Sequence, residues 1–193
     1  MSIKVTNDAN NGTTRLKGAE VAGDYVVTTP AFSTELAPRM QLMTAQNSTS
    51  GTSIDFTGIP SWVKRITVMF NGVSTNGTSV IQVQLGDSGG IENTGYIGEV
   101  VLATSGPAVL VFTSAFLLAQ QNAVIWTQNG TMDILNIALN TWIEKSTSSV
   151  TGIGVNIGAG SKTLSSTLDR IRVTTVNGTD TFDAGQIGVL YEG

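Results

Sequence analysis

Short runs of apolar and β-branched residues, separated by glycine and asparagine, recur from Gly51 to the end of this chain. Val63 to Phe70 is one such run and Ser79 to Leu85 follows it; Leu168 to Val176 and Gln186 to Tyr191 close the sequence. Between them lie apolar stretches at Val109 to Leu118, Ala123 to Trp126 and Ile134 to Leu139. Many short strands at this spacing predict an all-β fold, an antiparallel β-sandwich of jelly-roll type. A helical alternative at Ala115 to Ala123 is too short to change that class.

Alternation assigns faces within the runs. Ile171 and Val173 point one way while Arg170, Arg172 and Thr174 point the other, the pattern of a strand with one face on a core and one in water. Leu135 to Lys145 reads two ways. Leu135, Ile137, Leu139 and Ile143 share one parity; Asn136, Ala138, Asn140, Trp142 and Glu144 share the other. If the strand is continuous, Trp142 stands on the polar face. If Asn140 makes a tight turn, the parity resets and Trp142 belongs to the core.

The punctuation has its own logic. Asn-Gly-Thr occurs at Asn11, Asn76, Asn129 and Asn177, with a further Asn-Gly at Asn71. Asn-Gly tolerates positive φ, so between strands it predicts hairpin turns. The same triplets, and Asn47-Ser48-Thr49, match the N-glycosylation acceptor pattern. MSIKVTNDANNG shows no apolar signal-peptide region, however, so turns are the better-supported reading.

Residues 1–45 differ from the rest, being rich in Asn and Gly at first and then carrying Pro30 and Pro38. They are expected to form an extended arm for attachment, with a strand at Tyr25 to Thr29 and a helical turn near Glu35 to Met43. Residues 46–193 are then the sandwich domain.

Composition narrows the partners. Only 12% of residues are charged, about half the usual share, and Ser, Thr, Asn and Gly supply the polarity instead. Such a surface suits sugars or neighbouring subunits, although a plain β protein with polar loops has the same composition. A net charge of -4 with ten scattered Lys and Arg argues against nucleic acid. No apolar run approaches a membrane-spanning length, so no membrane insertion is expected.

The chemistry is mainly a record of missing groups. With no Cys and no His, the sequence lacks thiolate nucleophiles, Cys-ligated zinc, a Ser-His-Asp triad and a general base near neutrality. Asp180, Asp183 and the region of Asp8 could offer oxygen ligands to Ca²⁺, but none matches a calcium-loop spacing. The glycines from Gly152 to Gly160 do not form a dinucleotide fingerprint. A carboxylate pair of glycoside-hydrolase type is the one catalytic scheme left, and fourteen acids make some pair inevitable. No enzyme activity, no cofactor and no metal are therefore expected.

Aromatic rings are the remaining candidates. Trp62, after Ile59-Pro60-Ser61, suits an anchor at a turn, and Trp126 suits the core. Trp142 and Tyr96 are the candidate binding residues, because flat rings stack on sugars or fill a subunit contact. Tyr96 ends a loop-like segment, Gly89 to Gly95, of the kind where function concentrates.

Three blocks carry a resemblance. Thr49 to Phe70 (TSGTSIDFTGIPSWVKRITVMF) with Val73 to Ser79, Leu85 to Tyr96 (LGDSGGIENTGY), and Gly160 to Tyr191 (GSKTLSS through GVLY) resemble short virion proteins of tailed bacteriophages described as tail-fibre-like. The resemblance spans about residues 45–193; residues 1–44 lie outside it. It implies a β-sandwich module, commonly a homotrimer, fixed to other virion proteins through a variable N-terminal part, and it transfers no catalytic motif. The expected function is a virion structural protein, a tail-fibre or receptor-binding module touching host-surface glycan. A capsid decoration or head-fibre protein is the alternative, and a carbohydrate-degrading tail enzyme a third. The expected location is the virion, released with the particle.

Overall fold

The computed structural model describes residues 39–104 and 106–193 in full, and the backbone of three strands before them. The chain divides into two units, Met1–Arg39 and Met40–Gly193. In the first, β1 (Lys4–Asn7), β2 (Thr14–Lys17) and β3 (Tyr25–Val27) pair antiparallel in chain order. The predicted arm thus carries a small meander where the sequence suggests a single strand. The Asn11-Gly12 turn and the Asp8 region lie outside the described residues.

The second unit is an antiparallel β-sandwich, as the strand spacing predicts. Its larger sheet runs, edge to edge, through β11 (Ala108–Phe112), β10 (Tyr96–Ala103), β15 (Gly154–Thr163), β14 (Thr141–Val150), β13 (Gln128–Ala138), β7 (Arg65–Thr75), β17 (Phe182–Glu192) and β4 (Met40–Leu42), with β5 (Gln46–Asn47) also on β17. The smaller sheet runs β12 (Phe116–Leu117), β8 (Ile81–Asp87), β16 (Arg170–Thr175) and β6 (Ser53–Thr57), with β9 (Gly90–Ile91) on β8. No helix occurs among the described residues. Met40–Leu42 is a strand and not part of a helical turn, and the segment from Glu35 to Pro38 lies outside the described residues. Because β4 pairs with β17, residues 40–45 belong with the sandwich rather than with the arm.

Alternating residues of both sheets fill the interior. Ile66, Val68 and Phe70 on β7, Met132 and Ile134 on β13, and Ile187, Val189 and Tyr191 on β17 face Ile54, Phe56, Ile81, Val83, Leu85, Ile171 and Val173 of the smaller sheet. Ile171 and Val173 are fully buried, as their parity predicts. Side chains on the other faces of β16 and β6 meet in a bidentate ion pair, Arg172 to Asp55, with both N–O distances 2.7 Å.

Among the described residues, the four Asn-Gly sites at Asn71, Asn76, Asn129 and Asn177 bend the chain as expected but do not build hairpins. Asn71-Gly72 and Asn129-Gly130 sit inside β7 and β13, where the register shifts and Gly72 takes φ +63°. They are bulges, which absorb an extra residue and turn the strand. Asn76-Gly77 and Asn177-Gly178 instead carry the chain between the two sheets, from β7 to β8 and from β16 to β17. Asp180 ties these turns together: its carboxylate accepts from the Ser79 N–H at 2.9 Å and from Asn177 Nδ2 at 2.6 Å. Asp183 accepts from Ser74 Oγ. Asp180 therefore holds turns, and Asp183 links β17 to β7. Among the described residues no cluster of three or more acids could hold a metal ion.

Candidate functional site

Both predicted ring residues are inside the sandwich. Tyr96 is 1% exposed; its hydroxyl accepts from the Leu85 N–H at 2.7 Å and donates to the Glu92 carbonyl at 3.0 Å. Its ring meets Phe116 edge to face at 5.0 Å, and burial pushes the phenol well above its ordinary range. Tyr96 thus fastens the larger sheet to β8, and it offers no ring face to a ligand. Loop-like surroundings misplaced it because Gly95, at φ +74°, turns the chain sharply so that the next residue starts β10 pointing inward.

Trp142 is 4% exposed, and the turn that the sequence left open is present. Ala138 pairs with Thr141, so Leu139-Asn140 is a two-residue connection between β13 and β14. The register also shifts between Asn136 and Ala138, which offsets the turn, so the inward parity of Met132 and Ile134 on β13 continues through Trp142 on β14. Trp142, Glu144, Ser146, Ser148 and Val150 face the core, while Ile143, Lys145 and Thr147 face outward. A mainly polar set of side chains is thereby turned in and an isoleucine out.

Two features were absent from the sequence reading. The first is a buried polar seam. Ser148 Oγ donates to the Leu118 carbonyl at 2.7 Å, and Asn156 Oδ1 accepts from the Gln120 N–H at 3.0 Å. Beside them, both Glu144 carboxylate oxygens, Ser146 Oγ, Asn156 Nδ2 and both polar atoms of the Gln128 amide have no hydrogen-bond partner among the described residues. Burial pushes the Glu144 carboxyl up to about 7, and the nearby Ser146 hydroxyl opposes it only in part. Gly158 makes room for the seam, since a Cβ there would come within 2.5 Å of Ser146 Oγ.

The second feature is an apolar outer face at one end of the larger sheet. The register places Val111, Glu99 and Ala159 in one row and Val109, Val101 and Ile157 in the next, with Ile97 alongside. Ile97 is 73% exposed and Val111 63%, and a shallow groove of about 710 Å³ runs between them and Ile157. β11 is the edge strand here. An edge strand carrying exposed valines is a surface that proteins ordinarily cover. Further along the same face the side chains become ionic: Asp133 accepts from Arg65 at 3.0 Å and lies 3.5 Å from Lys145.

The loop end of the sandwich carries a separate pocket of about 240 Å³, lined by Trp142 and by residues of the turns around it. Leu139 forms part of its rim with φ +43° and 94% exposure. A non-glycine residue at positive φ costs roughly 1 kcal/mol, and an exposed leucine recovers nothing by burial. Leu139→Gly is expected to raise unfolding stability by about 0.5–1 kcal/mol in urea titration. No gain would mean that the leucine makes compensating contacts.

Sequence reasoning found neither the Glu144 seam nor the valine face. For the seam the signal was that Met132 and Ile134 share the parity of Trp142, Glu144 and Ser146. Compared with family models, curated proteins and solved structures, the chain gives no match.

Proposed function

We propose that this chain is a structural subunit of a bacteriophage virion, a tail-fibre or receptor-binding module that works as a homotrimer and reaches other virion proteins through residues 1–39. The sequence blocks that resemble tail-fibre-like proteins support the virion assignment. One structural observation supports the multimeric part: the exposed apolar face of β10, β11 and β15. Ile97, Val101, Val109, Val111 and Ile157 lie there together on an edge of the sheet. A patch of this kind ordinarily marks an interaction site. Glu99 stands among these residues without an ion-pair partner in the described chain, so a two-fold contact centred on it would oppose like charges. A three-fold arrangement relieves that opposition by setting the face against a different part of the neighbour.

Light scattering tests the assembly. The expected mass is about three times 20.1 kDa. Val111→Asp with Ile157→Asp should reduce it to the mass of one chain while changing the stability of the single chain by less than about 0.5 kcal/mol, because both positions are exposed. A wild-type monomer would sink the trimer. Immunogold labelling of intact particles tests location, and label confined to the head would replace the tail-fibre reading with capsid decoration.

The proposed mode of attachment is avidity. Three weak contacts on one rigid assembly raise effective concentration and remain individually reversible. A single-chain variant that bound cells as strongly as the assembly would contradict this.

A further inference from the structure

We propose that the pocket at the β13–β14 turn binds one carboxylated saccharide unit, with Lys64 as its charge partner. This names a ligand chemistry for the host-contact reading above and rests on that reading only for where the sugar comes from. The size is suitable: about 240 Å³ is below the range for drug-sized ligands and suits a single ring.

The lining has two kinds of wall. Pro60 and the 94%-exposed Leu139 supply apolar surface of the kind that accepts the C–H face of a sugar, and Trp142 adds only what its 4% exposure leaves. Ser61, Asn140 and Thr167 supply hydroxyl and amide groups; none of these side chains is engaged in a hydrogen bond among the described residues. Ser61 and Thr167 are exposed, so these groups are open to a ligand. The buried indole Nε1–H of Trp142 also has no hydrogen-bond partner among the described residues.

Charge selects among sugars. Lys64 is the one charged residue in the lining, and no carboxylate accompanies it. It makes no ion pair among the described residues; its Nζ donates only to Asn136 Oδ1, at a long 3.4 Å. The neighbouring Arg65, in contrast, is committed to Asp133 and Glu192. In a chain of net charge -4, an uncompensated cation inside a pocket of neutral donors and acceptors favours an anionic ligand over a neutral one.

Saturation-transfer NMR on the full chain tests this with sodium glucuronate, glucose and sodium acetate. Glucuronate should bind saturably at millimolar concentration, with glucose and acetate each about ten-fold weaker, the loss of one charge-assisted contact or of the ring contacts. Lys64→Met should reduce glucuronate to the level of glucose, and Asn140→Ala should weaken both sugars. Lys64 is exposed, so the fold should survive, and an unchanged melting temperature checks that. Equal binding of glucuronate and glucose, acetate binding as well as glucuronate, no binding of any probe, or an unaffected Lys64→Met variant would each overturn the proposal. Should Lys64→Met fail to fold, the order of the three probes on the wild-type chain decides. Virion location does not enter this experiment, so it can fail without touching the structural assignment.

Discussion

Replacing Lys162 with methionine should lower unfolding stability by about 3 kcal/mol, an effect as large as removing a core side chain. Lys162 faces inward from β15, 5% exposed, and its ammonium is paired with Glu92 Oε2. Methionine keeps an apolar stem of similar length and removes only the charge. Glu92 is then left partly buried, with the Ser165 N–H, at 2.8 Å, as its remaining described donor. The cost is mainly that of leaving a carboxylate without its partner. Burial raises the Glu92 carboxyl, but the bonds from Lys162 and Ser165 outweigh it and hold it below the usual range. A depressed carboxylate contributes stability that is present above its unfolded pKa and is lost as pH falls through the folded value. The wild-type chain should therefore weaken on the acid side, and the variant should do so less. Urea unfolding across pH, with Glu92→Gln and the double variant completing a cycle, gives the coupling. A loss under about 1 kcal/mol would place the pair with ordinary surface ion pairs and defeat the prediction.

Glu144→Gln should act in the opposite direction, stabilising the chain by up to about 3 kcal/mol above neutrality. The Glu144 carboxyl is raised to about 7 by burial from an ordinary 4.5. Below about pH 4.5 both folded and unfolded states hold the proton, and the group contributes no penalty. Between about 4.5 and 7 the unfolded chain has ionised while the folded chain has not, so stability falls as pH rises. Above about 7 both are ionised and the penalty, at about 1.4 kcal/mol for each pH unit of separation, is complete. Glutamine resembles the protonated acid in shape and lacks its titration. The difference between variant and parent should then be near zero at about pH 4 and largest at about pH 8. A difference that stays flat across that range would show that Glu144 reaches water in the folded chain.

These two residues also measure how much was legible beforehand. The alternation of Ile171 and Val173 and the regular spacing of glycine and asparagine were enough for an antiparallel sandwich, because period-two burial is a local property of a strand. The Asn-Gly positions were legible as bends, but not as bulges or inter-sheet crossings. Asn-Gly permits positive φ wherever it falls, and only the pairing partner decides whether the chain reverses, bulges or changes sheet. Trp142 and Tyr96 were drawn to the surface by polar neighbours, and both are core. For Trp142 the register shift between Asn136 and Ala138 decided it: it offsets the two-residue turn and keeps Trp142 on the face of Met132 and Ile134, since a shift of one residue exchanges the faces of an entire strand.

What the sequence determined by itself was the class of fold and the lack of any thiol or imidazole, since both follow from residue types and short-range pattern. What only the tertiary structure decided was which side of β14 and β15 met the core. That choice buried Glu144 and Lys162, and it left Ile97, Val111 and Ile157 in the open. It also placed Lys64 and Asn140, far apart in sequence, in the lining of one pocket. The physical reason is that burial depends on strand register, and register is set by contacts between segments far apart in the chain.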